Sequence, residues 1–101
     1  MVLTVFRSRL RPDAKDYPEL ATRMSELARR MPGYISHKGF VAEDGERVTL
    51  VEFESEEAQR AWRMHPEHIE AQKMGRQSFY SEFRLQICSV QRESVFPPRA
   101  K

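Results

Sequence analysis

One cysteine, Cys88, stands in a chain of 101 residues, so no intrachain disulfide framework is available and the fold must close on packing alone. Long apolar runs are missing too: nothing approaches the ~20 residues that cross a bilayer. The opening stretch, "MVLTVFRSRLRP", is too short and too charged for a secretory leader. The expectation is a cytoplasmic protein without a membrane partner. Charge of one sign is not in excess either. Lys and Arg number 17, Asp and Glu 15, and the signs alternate along the chain. A net charge of +2 without a basic stripe among aromatics gives no nucleic-acid footprint. No HExxH motif and no cysteine pair supply a zinc set, and there is no internal repeat or low-complexity tract. What remains, 40% hydrophobic and 32% charged residues, describes one small globular domain, expected over residues 1–96 with a flexible tail at 97–101.

The order of elements can be read along the chain. "VLTVFRSRL" (2–10) mixes β-branched and apolar residues with alternating Arg7 and Arg9 and reads as a strand. Leu20, Met24, Leu27 and Met31 recur at helical spacing, and "MPGY" ends that helix. "YISHKGFVA" and "RVTLVEF" flank "EDGE", where Asp44-Gly45 predicts a two-residue type I′ hairpin turn. That turn pairs Glu43 with Glu46, Phe40 with Thr49, Lys38 with Val51 and His37 with Glu52. Ser55 caps a second helix whose apolar face is expected to carry Ala58, Ala61, Trp62 and His65. In "AWRMHPEH" the proline suits the first position of a new helix, not the interior of the old one. A weakly amphipathic piece, about 66–80 with Gly75 inside it, lies as a lid or corner. "FRLQICSVQRE" (83–93) closes the chain as a strand, with a bulge expected where its apolar parity switches between Ile87 and Cys88.

Strand, helix, strand, strand, helix, strand gives a ferredoxin-like α+β fold: an antiparallel sheet with helices on one face. Strands 1 to 3 carry apolar residues on both parities, so the face opposite the helices also needs cover. A second copy packed sheet on sheet supplies it, and a homodimer is expected.

Four stretches, "MPGYISHKGFVAEDGERV", "VEFESEEAQRAW", "HPEHIEAQKMGRQSFYSEF" and the closing strand, together with this element order, resemble the antibiotic biosynthesis monooxygenase superfamily of dimeric α/β barrels. The resemblance covers nearly the whole chain. It implies a homodimer with one cavity per subunit between helices and sheet. Some members oxidise phenolic polyketides with molecular oxygen and neither metal nor flavin; others degrade haem. The haem-degrading pattern is a tryptophan in helix 2, a histidine ten residues later and an asparagine on strand 1. Trp62 matches the first, but the tenth residue after it is Gln72 and strand 1 has no asparagine.

The candidate site residues each carry a second, structural reading. Trp62 either walls a slot for an aromatic ligand or anchors the core. His65 and His68 can share a metal or simply sit at a helix junction; His65 is carried forward beside Trp62 as a substrate contact. His37, Glu52 and Arg7 form the catalytic candidate, with His37 as base, Glu52 raising its pKa and Arg7 holding the carboxylate ionised. The alternative is a cross-strand ionic network. Tyr34, Phe79 and Tyr80 line the same cavity or fill the core. Cys88 reads as an inert small hydrophobe. The function expected is a cofactor-independent monooxygenase of a small aromatic, phenolic or quinol-type molecule. A non-catalytic small-molecule-binding dimer and a haem-binding relative are the alternatives.

Overall fold

Val2–Leu10 forms β1, Tyr17–Arg30 α1, Tyr34–Val41 β2, Arg47–Phe53 β3, Glu56–Arg63 α2, Pro66–Met74 α3 and Tyr80–Ser89 β4. A computed structural model describes residues 1–98. The expected flexibility of 97–101 therefore falls largely on residues 99–101, which lie outside the described residues. The four strands make one antiparallel sheet in the order β2-β3-β1-β4. This is the ferredoxin-like α+β arrangement that the element order predicts.

The helices form for local reasons. In α1, Leu20, Leu27 and Ala28 are buried and Met24 is partly buried, so the predicted stripe is the one that meets the sheet. Pro18 sits in its first turn, where a missing N–H costs nothing. The helix stops at Pro32 and Gly33; Gly33 has φ +84, and a Cβ there would lie 2.7 Å from Ala58 Cβ. Glycine is required by both conformation and close approach. Ser55 Oγ accepts from Ala58 N at 3.1 Å and caps α2. The chain then breaks at Met64 and His65 and restarts with Pro66 at the head of α3, as the proline foretells. The second core helix face is rotated from the predicted one. Gln59 and Trp62 are buried while Ala61 is exposed, because a hydrophobic count cannot choose a glutamine as an inward residue.

The hairpin joining β2 and β3 departs from the expected one by a single residue. Ala42 N donates to Glu46 O (2.8 Å) and Gly45 N to Ala42 O (2.9 Å). The loop is therefore Glu43-Asp44-Gly45, three residues long. Among the described residues none other than glycine has positive φ, which rules out a type I′ turn through Asp44. Gly45, at φ +90, instead follows a type I turn. Asp44 Oδ1 accepts from Glu46 N (3.1 Å) and stiffens it.

The pairs are accordingly His37 with Val51, Ser36 with Glu52, and Phe40 with Val48. A one-residue slip exchanges faces. His37 therefore shares the helix-covered face with buried Val51, whereas Glu52 lies on the opposite face, bonded by Ser36 Oγ at 2.6 Å. Arg7 also lies on that outer face, since it pairs with Val48, and holds Glu46 through Nε and Nη2, both at 3.0 Å. The expected His37–Glu52–Arg7 set is split by the sheet.

The bulge in β4 is also displaced. Register runs unbroken from Glu82 to Ser89, through Ile87 and Cys88, and shifts instead between Arg9 and Leu10, where Leu10 meets Tyr80. The parity change at Ile87 reflects an edge strand exposed on both faces rather than an extra residue: Phe83, Leu85 and Ile87 are about two-fifths exposed. Before β4, the chain widens into a π turn, Gly75–Phe79. The guanidinium of Arg11 binds the carbonyls of Tyr80 (3.1 Å), Gln77 (2.8 Å) and Arg76 (3.2 Å) and closes this turn. The core falls into two groups. Leu27, Ala28, Val51, Phe53 and Trp62 pack under α1 and α2, while Leu20, Ala71 and Phe79 pack under α1 and α3.

Candidate functional site

Between these two core groups the helices stand off the sheet and leave a chamber of about 170 Å³. Its floor is the helix face of the sheet: Thr4 and Phe6 from β1, Thr49 and Val51 from β3, His37 from β2 and Tyr80, Phe83 and Leu85 from β4. Its roof is built by α1, α2, α3 and the π turn. Aromatic rings line much of it, with Phe6 edge-on to Tyr80 (5.3 Å) and Tyr80 edge-on to Tyr17 (5.8 Å). At the other end Trp62 leans on Phe53 (5.6 Å) and takes His68 edge-on at 4.4 Å.

The polar atoms of this chamber are unusual. Thr4 Oγ1, Gln59 Oε1 and Nε2, Trp62 Nε1, Arg63 Nε and His68 Nδ1 are buried without a hydrogen-bond partner among the described residues; the His68 ring lies against its own main chain. All five residues line the chamber. Gln59 is 1% exposed and Thr4 2%. A buried polar group left unpaired costs about 1–3 kcal/mol, so such groups are few in a native fold and their gathering around one chamber is informative.

Electrostatics keeps the site's histidines neutral. Burial, and then the charge of Arg63, pushes His68 down to about 4. Burial, helped by Arg29, also lowers His37, whose Nδ1 lies 3.1 Å from Ser25 Oγ. Tyr80 is pushed well up, chiefly by burial and also by the neighbouring Tyr17 hydroxyl, so it stays a protonated phenol at physiological pH.

Of the residues singled out in the sequence, His37, Trp62 and Tyr80 meet at the chamber. Tyr34 packs on Phe53 at 6.2 Å in the core, and Phe79 is buried beside Leu20 and Ala71. His65 is a helix cap: its Nδ1 accepts from Glu67 N at 3.2 Å, the use its place in front of Pro66 already suggests. Glu52 and Arg7 stand on the far face of the sheet. Sequence reasoning missed Gln59, Arg63 and Thr4, and read His68 as a junction residue. Gln59, Trp62 and Arg63 are related by i, i+3 and i+4 and share one side of α2, a signal that appears only when polar residues are allowed an inward face. Among the described residues no three His, Cys, Asp or Glu gather to hold a metal, and no helix is long and apolar enough to cross a membrane.

A four-stranded sheet, helices on one face and an aromatic chamber beneath them define a ferredoxin-like α+β domain with an interior site. A family model, antibiotic biosynthesis monooxygenase, matches residues 1–74. The uncharacterized protein YqjZ of Bacillus subtilis (strain 168) is 32% identical over 80 residues, which are 79% of this chain and 70% of YqjZ. The chain belongs to the antibiotic biosynthesis monooxygenase family. The solved structure of Rv0793 from Mycobacterium tuberculosis superposes with a TM-score of 0.81 at 21% identity, over 93% of this chain and 98% of that one. SnoaB, a cofactor-independent oxygenase from Streptomyces nogalater, superposes with a TM-score of 0.77 at 16% identity, over 96% and 97%. At those identities the likeness is one of fold.

Proposed function

We propose that the chain is a monooxygenase that oxidises a small phenolic or quinol-type aromatic molecule with molecular oxygen, using neither metal nor flavin, in the cytoplasm and as a homodimer. The observation that carries this reading is the gathering of unpartnered polar atoms in an aromatic-walled chamber. Flat apolar walls with a few convergent polar groups suit an oxygenated ring. Family membership points the same way.

The chemistry follows from the substrate. Triplet oxygen reacts slowly with closed-shell molecules, but an ionised phenol or enol can give it one electron. The radical pair then joins a carbon–oxygen bond, and loss of water leaves a carbonyl, so that a methylene plus O2 becomes a ketone plus water. The protein's part is to favour the anion and to exclude water. In the tautomer whose Nδ1–H donates to Ser25 Oγ, His37 leaves Nε2 as the acceptor for a substrate proton. The Trp62 indole N–H and the Gln59 amide supply donors for the oxyanion. Ile35 and Phe40, 43% and 47% exposed, lie with half-buried Leu3, Val5 and Leu50 on or beside the outer face, an apolar surface suited to a second copy. The test is oxygen uptake by purified, metal-stripped protein with a panel of hydroquinones and anthrones. Uptake with a ketone or quinone product is expected; silence across the panel overturns the oxidation.

A second reading, binding without turnover, is favoured by one observation: burial holds both chamber histidines below the ordinary histidine value, which makes them weak bases. Quenching of Trp62 fluorescence by flat aromatics without product separates the two.

A further inference from the structure

The chain has 15 acidic side chains, and none of them lines the chamber. The titratable groups that face it are Arg63 from α2, His68 from α3, Arg76 from the π turn, His37 from β2, Tyr17 from α1 and Tyr80 from β4; β1 and β3 bring none. With the histidines neutral, the charges left are two guanidinium groups. Arg76 sits over the Phe83 ring at 5.9 Å. The Arg63 side chain makes no ion pair or hydrogen bond with any described residue, and its Nε is buried. A half-buried guanidinium whose Nε faces an interior without a carboxylate is a counter-ion lacking its ion.

We propose that the chamber takes its aromatic ligand as an anion, an ionised phenol or enol, with Arg63 as counter-ion and Gln59 and Trp62 as the adjoining hydrogen-bond donors. Charge, and not ring shape alone, then selects the ligand. The inference rests on the reading that the chamber holds a small aromatic molecule and is independent of whether that molecule is oxidised. An opposite charge within a few ångström favours the ionised form. A neutral ether of the same shape leaves Arg63 Nε and the Gln59 amide unpaired and is rejected for that reason.

The experiment uses 4-nitrophenol, whose ionised form alone absorbs strongly in the visible, and 4-nitroanisole, its neutral methyl ether. Binding is followed by quenching of Trp62, the single tryptophan. With excess protein, at a pH one unit below the free probe's midpoint, about a tenth of free nitrophenol is ionised. At least half of the bound probe is expected to be ionised, a preference of about tenfold or more for the anion. The Arg63→Gln variant should return the midpoint to the free value while quenching persists, and Arg63→Lys should keep it lowered. The wild-type titration needs no variant, so a folding defect in either leaves the test intact. A bound probe with its solution midpoint overturns the proposal, as does nitroanisole binding as tightly as nitrophenol, or no quenching by either at millimolar concentration. Oxygen uptake plays no part, so a protein that captures nitrophenolate yet consumes no oxygen refutes the oxidation and leaves charge selection standing.

Discussion

His68 makes the interior site sensitive to acid. Its ring is buried against the edge of Trp62, and its pKa has fallen from an ordinary 6.5 to about 4. In the unfolded chain the imidazole regains its ordinary affinity for protons. Below pH 6.5 the unfolded state therefore takes up a proton that the folded state refuses, and stability falls as pH falls. The loss begins near 6.5 and levels off near 4. At about 1.4 kcal/mol per pH unit the full gap amounts to at most about 3 kcal/mol, and at pH 5 to about 2 kcal/mol. For a domain of this size, with a total stability of roughly 5–15 kcal/mol, that is a large fraction. The perturbation is His68→Phe, which keeps a flat ring against Trp62 and removes the titration. Urea unfolding followed by Trp62 fluorescence at pH 7.5, 6 and 5 provides the measurement. Other groups titrate in both proteins, so the difference between their pH slopes isolates His68. The wild type should lose about 2 kcal/mol more than the variant between pH 7.5 and 5. Parallel curves within about 0.5 kcal/mol would refute the claim that this imidazole is held neutral by burial.

Further outcomes follow from the same geometry. Gly45→Ala meets open space, and only its φ of +90 opposes it, so a cost of about 1 kcal/mol is expected; Gly33→Ala adds a contact of 2.7 Å with Ala58 Cβ and should cost roughly 1–3 kcal/mol more in urea midpoints. Arg11→Ala leaves the carbonyls of Tyr80, Gln77 and Arg76 without their shared donor; a loss of about 1–3 kcal/mol is expected, together with faster amide exchange at 75–80. If His37 is the base, the rate of oxygen uptake should fall towards acid with a midpoint below 6.5, because burial and Arg29 lower its pKa. His37→Gln should abolish that limb, and an unchanged profile would remove His37 from the mechanism.

Element order was legible because the helices have chemical markers at their ends, Pro32-Gly33 after α1, Ser55 before α2 and Pro66 at α3; the closing strand, expected at 83–93, has no such marker and runs from Tyr80 to Ser89. Trp62, His37 and Tyr80 could also be named as site residues from their type. Their partners could not. Gln59 is 1% exposed, yet any hydrophobic count scores it as a surface residue. His68 joins Trp62 across a helix break, where neither period applies. Arg63 follows Trp62 directly, and nothing in a one-dimensional pattern marks the arginines that lack a carboxylate. The resemblance to a family located the chamber under the helices but did not give the hand of the β2–β3 pairing that decides what faces it.

That pairing determines the division of labour between the two faces. Asp-Gly favours a two-residue turn, but a type I turn followed by Gly45 needs positive φ at one residue only, and the glycine supplies it. The extra loop residue shifts the register by one and turns the β2 side chains over. On the outer face it lets Ser36 bind Glu52, while the loop brings Asp44 to Arg9 at 2.7 Å and Glu46 to Arg7 at 3.0 Å. Three carboxylates of the hairpin, Asp44, Glu46 and Glu52, are thus occupied on the outside. On the inside the same shift brings His37 to the chamber with Val51, Thr49 and Thr4, and no acidic group accompanies it. A chamber that contained Glu52 would have balanced Arg63 internally and gained nothing by favouring an anionic ligand. Inserting or deleting one residue in the loop should therefore do more than destabilise the hairpin. It should exchange His37 for its outer-face neighbours and remove the acid limb of oxygen uptake assigned to that histidine, even in a variant that still folds.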